Sequence, residues 1–136
     1  MPGRVLLVAA AVLAAAFLAL GFRSAVLESR GAAAVDRATF RSLPAAEVAR
    51  AQSRLRSARR FSTDAGPLVT EGRLLFFAGR TAQAADIGER VVALEPENFD
   101  GWALLYSATR GRDPERAAEA FRAIRELNPP AAESFR

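Results

Sequence analysis

The chain has 136 residues, a formal net charge of +4 and 19 arginines, and it contains no lysine, histidine or cysteine. This inventory excludes zinc sites built from histidine and cysteine, nucleophiles activated by histidine, and Schiff bases on lysine. A chain of this length forms about one small domain with an appendage.

An unbroken apolar stretch occupies residues 5–22, without a charged or hydroxyl-bearing side chain. As a helix it would be about 27 Å long, close to the roughly 30 Å hydrocarbon core of a bilayer. The stretch predicts a transmembrane helix within an N-terminal membrane anchor at residues 1–30, and hence a single-pass membrane protein. A cleaved signal peptide is the alternative, and the side of the membrane on which the rest of the chain lies stays open.

A basic juxtamembrane segment and a helix are expected at residues 31–61. Positive charge is concentrated in this region, because residues 23–61 hold nine arginines against three acids, whereas residues 62–136 hold nine arginines against twelve acids. The expected helix has one apolar face, which predicts that it packs on the helices that follow. That face consists of Val48, Ala51, Leu55 and Ala58.

The arginines of this helix allow two interpretations. Beside a membrane they favour contact with anionic lipid headgroups. In the competing interpretation the protein is an arginine-rich binder of anionic lipid or nucleic acid, because guanidinium groups neutralise phosphates. The residues concerned are Arg50, Arg54, Arg56, Arg59 and Arg60.

The chain repeats itself across residues 62–129, where 67–96 and 98–129 form two predicted helical hairpins, and residues 130–136 form a tail. When the copies are aligned on their closing prolines, equivalent residues lie 33 positions apart. The aligned pairs are Ala84 with Ala117, Gly88 with Phe121, Val91 with Ile124, Leu94 with Leu127 and Pro96 with Pro129. Before the prolines, these positions step by four, three and three residues, which is the spacing of one helix face.

This pattern resembles the tetratricopeptide repeat family, whose unit is a pair of antiparallel helices of about 34 residues. The family pattern runs from a large residue through Leu-Gly, a tyrosine, a small residue and an aromatic residue to a closing proline. The matching residues are Leu68, Gly72, Ala84 and Pro96 in the first copy and Trp102, Leu105, Ala117, Phe121 and Pro129 in the second. Three positions depart from the pattern, since Gly88 replaces the aromatic residue, Tyr106 the glycine and Thr109 the tyrosine.

The resemblance implies an all-α fold, in which the transmembrane helix is followed by a short tetratricopeptide-like solenoid of about two repeats plus one extra packing helix. The residues expected to pack the repeats together are Leu68, Gly72, Ala84, Trp102, Ala117 and Phe121. In the family, the first helices of the pairs bind protein segments. This places partner-binding residues at Thr70, Arg73, Phe77, Leu104, Ser107 and Arg110. The alternative for Phe76 and Phe77 is that they pack under the helix at 44–61.

The ends of the predicted helices carry turn-forming residues. Gly79 and Gly111 follow the first helix of each pair, where a glycine with left-handed backbone would end the helix. Thr81 and Asp113 come next, at positions where the following helix needs an N-cap.

The stretch "LEPENFDGW", residues 94–102, gathers three acids and the single tryptophan of the chain. Clustered acids are also found at metal and catalytic sites, but this cluster lies between two predicted helices. Pro96 is expected to end the first helix, and Asn98 or Asp100 to cap the second. The acids are therefore interpreted as part of a turn.

The acidic residues on the predicted helices lie opposite the apolar faces and have arginine neighbours at helical spacing, which indicates a solvated face. We therefore expect no catalytic, metal-binding or cofactor-binding residue, no small-molecule substrate and no enzymatic activity. The expected function is that of a non-catalytic, membrane-anchored protein that binds or scaffolds a membrane-associated protein partner, as in a subunit of a bacterial envelope complex. Nucleic acid is not the partner that this interpretation expects.

Overall fold

The described part of the chain is made of α-helices joined by short turns. The computed structural model describes residues 26–27, 29–30, 32–38, 43–60 and 62–135. Its helices are α1 (Ala45–Arg59), α2 (Gly66–Phe77), α3 (Thr81–Leu94), α4 (Phe99–Thr109), α5 (Pro114–Leu127) and α6 (Pro129–Ala132), and a 3-10 turn follows at Glu133–Phe135. Residues 32–38 are also helical and are called segment 32–38 below. The described residues contain no strand, so the predicted all-α class is confirmed for them.

The predicted transmembrane helix has no counterpart among the described helices. The apolar stretch 5–22 lies outside the described residues. Within the residues that the structure covers, no helix is long and apolar enough to cross a membrane. Even α1, with 15 residues, carries four arginines and a glutamate. The predicted architecture is therefore corrected from a transmembrane helix with a solenoid to an all-α fold. The predicted single-pass membrane localisation is corrected as well, because no described helix could form the span.

The helices form a stack in which each one packs on the helix before it. Helix α4 contacts α2 as well as α3, so α2, α3 and α4 form a three-helix unit. Its apolar cluster consists of Ala65, Leu68, Val69, Leu75, Ala84, Ile87, Val91, Leu104 and Ala108. On the other side of α2, Leu74 joins a second cluster with Ala34, Val35 and Ala38 of segment 32–38 and with Val48, Ala51 and Leu55 of α1. Helix α2 thus contributes residues to both clusters and joins them.

Close contacts between α2, α3 and α4 require glycine at two positions. A Cβ atom added to Gly72 would lie 2.2 Å from Cδ2 of Leu104 and 2.8 Å from Cγ2 of Ile87. A Cβ atom added to Gly101 would lie 2.5 Å from Cγ1 of Val91. Distances this short overlap van der Waals radii, so the three helices lie as close as they do because these positions have no side chain.

Gly88 of α3 explains one departure from the tetratricopeptide pattern. A Cβ atom at this position would lie 3.2 Å from the Cα atom of Leu105, which belongs to the backbone of α4. The aromatic residue that the pattern expects here would therefore meet main chain that is held in a helix. At the equivalent position of the second hairpin, Phe121 has room and lies against Tyr106, with ring centroids 5.8 Å apart.

The two glycines expected to end helices differ from each other. Gly79 has a φ of 76°, and it is the only residue of the described chain with a positive φ. Its N–H donates to the carbonyl oxygen of Phe76, and the N–H of Arg80 donates to that of Leu75, which is the hydrogen-bond pattern of a Schellman motif. Gly111 does not have a positive φ, so the prediction of a left-handed end was right for Gly79 and wrong for Gly111.

Helices α4 and α5 are each capped at the N-terminus by a side-chain oxygen that accepts a backbone hydrogen bond. Asn98 caps α4, since its Oδ1 accepts from the N–H of Gly101 at 2.9 Å. Asp113 caps α5 by accepting from the N–H of Arg116 at 3.1 Å. The predicted cap at Asp113 is confirmed, and of the two predicted alternatives for α4, Asn98 and Asp100, the cap is Asn98. Thr81 is not a cap, because α3 begins at Thr81 itself and Arg80 occupies the cap position without a side-chain hydrogen bond.

Glu95, in the turn between α3 and α4, joins parts of the chain that are distant in sequence. Its Oε1 accepts a hydrogen bond from the N–H of Ala65, the N-cap residue of α2, at 2.8 Å. Its Oε2 accepts from Nδ2 of Asn98 at 2.7 Å. The interpretation of this acidic stretch as a turn is therefore confirmed, and Glu95 in addition satisfies a backbone donor at the start of α2.

The tail predicted at residues 130–136 folds onto the end of the stack as far as it is described. Ala132 is buried in α6, which packs on α5. The hydroxyl of Tyr106 donates to the carbonyl oxygen of Phe135 at 2.9 Å, and the two rings meet edge to face. Tyr106 belongs to α4, so the tail contacts both helices of the preceding hairpin, α4 and α5. Helix α4 contacts both helices of the first hairpin, α2 and α3, in the same way.

We predict that Gly72→Ala lowers the free energy of unfolding by about 1–2 kcal/mol. Alanine gains up to about 1 kcal/mol in helix propensity, but the added methyl group overpacks the contact with Leu104 and Ile87, which typically costs about 1–3 kcal/mol. Urea denaturation of the full-length chain measures the difference. Gly111→Ala is the matched control, because its added Cβ has no atom within 4 Å. Equal stability of the two variants would contradict the close-contact explanation.

Candidate functional site

The partner-binding residues predicted on α2 lie on one side of this helix. Thr70 is half-buried, and its Oγ1 donates to the carbonyl oxygen of Gly66 at 3.0 Å. Arg73 is exposed, and 39% of Phe77 is accessible to solvent. Their spacing of three and four residues gives a continuous strip along the helix. Arg73 and Phe77 are the members of the strip that are free to contact a partner.

The predicted residues on α4 divide between core and surface. Leu104 is only 5% exposed and packs against Gly72, so it belongs to the core between α2 and α4. Ser107 is half-buried and donates from Oγ to the carbonyl oxygen of Ala103 at 2.8 Å. Arg110 is exposed at the end of the helix. Because α2 and α4 touch each other, we define the α2–α4 face as Thr70, Arg73, Phe77, Ser107 and Arg110.

The two phenylalanines at the end of α2 have different surroundings. Phe76 is partly buried and packs against the cluster shared by α2, α3 and α4. Phe77 remains exposed and meets Phe76 edge to face, with ring centroids 5.4 Å apart. The inner ring therefore lies against the outer ring, and Phe77 is the more exposed of the two.

The residues predicted to pack the repeats vary in burial. Leu68, Gly72, Ala84 and Ala117 are buried, whereas Trp102 and Phe121 are half-buried. The indole Nε1–H of Trp102 donates to the carbonyl oxygen of Pro96 at 2.7 Å. Trp102 thus ties the start of α4 to the turn before it.

A second surface, which sequence reasoning did not assemble, lies between α1, α2 and α3. It is an open cleft of about 530 Å³, called the arginine cleft below. The residues that line it are Arg56, Arg59, Arg60, Glu71, Ile87 and Arg90. An adjoining part of the same cleft adds Gln52, Leu75, Arg80, Gln83 and Asp86. Four guanidinium groups of its main part therefore face one carboxylate.

Glu71 forms the floor of the arginine cleft. Its side chain is 3% exposed, and its Oε1 accepts hydrogen bonds from Nε of Arg56 at 3.1 Å and from Nε2 of Gln52 at 3.3 Å. Nη1 of Arg80 lies 3.5 Å from Oε1 of Gln52, at the limit of a hydrogen bond. This network holds the side chains of α1 against α2 and against the start of α3.

One sequence signal for this floor was available. Glu71 follows Leu68 by three residues and precedes Leu75 by four, so it shares the buried side of α2 with two leucines. A carboxylate on such a face needs a partner to offset its desolvation. The identity of the partner was not predictable from spacing, because Gln52 and Arg56 belong to another helix.

The neighbouring furrow between α3 and α5 contains an ion pair between the two helices. Nη2 of Arg116 lies 2.9 Å from Oε1 of Glu89, which pairs the two helices directly. The charged residues around this pair include Asp86, Arg112 and Asp113. Three acids and two arginines line this furrow, so it has no positive excess, in contrast to the arginine cleft.

Groups of acidic residues do not form a metal site within the described ranges, where no set of three or more aspartates, glutamates, histidines or cysteines is placed to hold an ion.

The buried Thr109 donates from Oγ1 to the carbonyl oxygen of Leu105 at 2.7 Å, so its hydroxyl is used within α4.

Comparisons of the chain with protein-family models, with curated proteins and with solved structures find no match.

We predict that Glu71→Ala lowers the free energy of unfolding by about 1–3 kcal/mol, because the variant leaves the partly buried amide of Gln52 without its acceptor. Urea denaturation of the full-length chain measures the loss. Glu119→Ala is the control, since Glu119 is exposed on α5 and its removal should change stability by less than about 0.5 kcal/mol. If the two variants have the same stability, the network at the floor of the cleft does not stabilise the fold.

Proposed function

We propose that the protein is a non-catalytic helical-repeat module, of the tetratricopeptide type, that binds or scaffolds a protein partner through its α2–α4 face. The observation that carries this proposal is the exposed ring of Phe77, which is supported by Phe76 and lies on the same side of α2 as Arg73. Aromatic residues and arginine are enriched among the residues that dominate binding energy in protein interfaces.

The stacking of the helices supports this assignment. Segment 32–38 packs on one end of the stack and the tail from α6 onward packs on the other. The sides of the stack are then the extended surfaces that remain for binding, as in repeat proteins in general. The α2–α4 face is formed by the first helices of both hairpins, which bind protein segments in the family that the repeats resemble.

A face built from two hairpins is small, and this sets the expected strength of binding. Interfaces of less than about 1,200 Å² are typical of weak or transient complexes. The energy is then concentrated in a few residues, of which Phe77 is the one with the largest exposed apolar surface on this face.

The test replaces Phe77 with the photocrosslinker p-benzoylphenylalanine in the source cells. We expect one discrete protein adduct at this position, and we expect the additional change Arg73→Ala to reduce the same adduct. The control places the crosslinker at Glu119, an exposed position of α5. Adducts that are the same at both positions, or that contain only nucleic acid, would overturn the proposal.

We predict that Phe77→Ala weakens binding of the crosslinked partner by about tenfold or more, as expected for an aromatic residue that dominates an interface. The stability of the free protein should fall by less than the roughly 3–5 kcal/mol typical of a buried phenylalanine, because 39% of Phe77 stays accessible to solvent. Titration of the purified partner measures affinity, and urea denaturation measures stability. A Phe77→Leu variant should retain part of the affinity, and an unchanged affinity in Phe77→Ala would assign binding to another surface.

A further inference from the structure

We propose that the arginine cleft is a second binding site, which takes an acidic peptide segment carrying several glutamate or aspartate side chains. This site lies on a different side of α2 from the α2–α4 face, because Glu71 and Arg73 are separated by roughly 160–200° around the helix axis at about 3.6 residues per turn. The inference is independent of the proposed role of Phe77.

The arginine cleft leaves most of its positive charge without a carboxylate partner. Arg56 is paired with Glu71 at 3.1 Å. No carboxylate among the described residues lies in salt-bridge distance of Arg59, Arg60 or Arg90. Three guanidinium groups with the same charge therefore line one concave surface, and their repulsion would be offset by a bound anion.

The attraction between arginines and the C-terminal ends of helices does not explain why all of these arginines line the cleft. Arg56 and Arg59 lie in the last turn of α1, where basic side chains complement the negative end of the helix dipole. Arg90 does not lie at a helix end, since four residues of α3 follow it. It comes from a different helix and nevertheless lines the same cleft as the arginines of α1.

The shape of the cleft and its polar side chains suit an extended acidic peptide. A volume of about 530 Å³ exceeds what a single small anion fills and suits several side chains of an extended peptide. Guanidinium groups bind carboxylates with two parallel hydrogen bonds, so each arginine can take one acidic side chain. At the edge, Gln83 carries an amide group that can donate to and accept from a peptide backbone.

Charge and composition favour an acidic peptide over nucleic acid. Proteins that bind single strands combine a basic groove with aromatic side chains on which bases stack, and no aromatic residue is found among the described residues that line this cleft. Asp86 lies at its edge. Residues 62–136 as a whole hold twelve acids against nine arginines, and this net negative charge opposes a long polyanion more than a short acidic segment.

The experiment measures binding of fluorescein-labelled hexaglutamate to the full-length protein by fluorescence anisotropy at about 50 mM salt, where surface charges are screened only beyond roughly 14 Å. The unsubstituted protein should bind hexaglutamate and not hexaglutamine. The triple variant Arg59→Gln, Arg60→Gln, Arg90→Gln should lose affinity by about tenfold or more, as expected from the loss of three exposed ion pairs.

The matched control is the triple variant Arg112→Gln, Arg122→Gln, Arg125→Gln, which removes the same charge from exposed positions outside the cleft. It should change affinity by less than about threefold, because only long-range attraction is lost. Circular dichroism and urea denaturation verify that both variants fold, since all six arginines are exposed. Phe77→Ala should leave hexaglutamate binding unchanged, so failure of the α2–α4 face and failure of the cleft are separate results.

Three outcomes would overturn the proposal. One is that hexaglutamate does not bind to the unsubstituted protein, and another is that the two triple variants lose affinity equally, which would indicate attraction by net charge alone. The third is that a labelled single-stranded oligonucleotide of 20 nucleotides, or vesicles containing phosphatidylserine, bind more tightly than hexaglutamate and lose that binding in the cleft variant. That result would assign the arginines to nucleic acid or to a lipid surface.

Discussion

The contact between Gly72 of α2 and Leu104 of α4 determines how closely the central helices approach, and the positions of both candidate surfaces depend on it. Leu104 fills the space that a side chain at position 72 would take. Because α4 contacts α2, the exposed residues of these two helices are proposed to act together as one face. Glu71, the residue next to Gly72, meets Arg56 and Gln52 of α1 with its carboxylate.

The two surfaces differ in the physical basis of recognition. The α2–α4 face offers an exposed aromatic ring with arginines at its margin, so its contribution to binding would depend mainly on apolar contact and be little affected by salt. The arginine cleft offers charge with little apolar area, so its contribution would depend on salt concentration. In a protein with both surfaces, the apolar contacts would slow dissociation of the partner, and the charges would accelerate its association.

Local sequence signals predicted more of this structure than long-range ones. The helical periodicity, the caps at Asn98 and Asp113 and the glycine end at Gly79 depend on residues within one turn of each other, and they are found as predicted. Burial of Leu104 and the exclusion of an aromatic residue at Gly88 depend on the distance between helices, which spacing does not contain. The arginine cleft was missed for the same reason, because its residues come from three helices. The apolar stretch 5–22 was read as a transmembrane helix from its composition, and this reading has no support among the described helices.

The two hydrogen bonds of Glu95 have a consequence for the order in which the protein folds. The carboxylate joins the N–H of Ala65 to the turn at Asn98, across 30 residues of sequence. The beginning of α2 therefore gains its last hydrogen-bond acceptor only when α3 has closed and the turn into α4 has formed. In a linear stack, where each hairpin otherwise contacts only its neighbours, such a bond raises the cooperativity between units. Fraying of the first hairpin would release the turn into the second, so the two hairpins are expected to exchange their amide hydrogens as one unit.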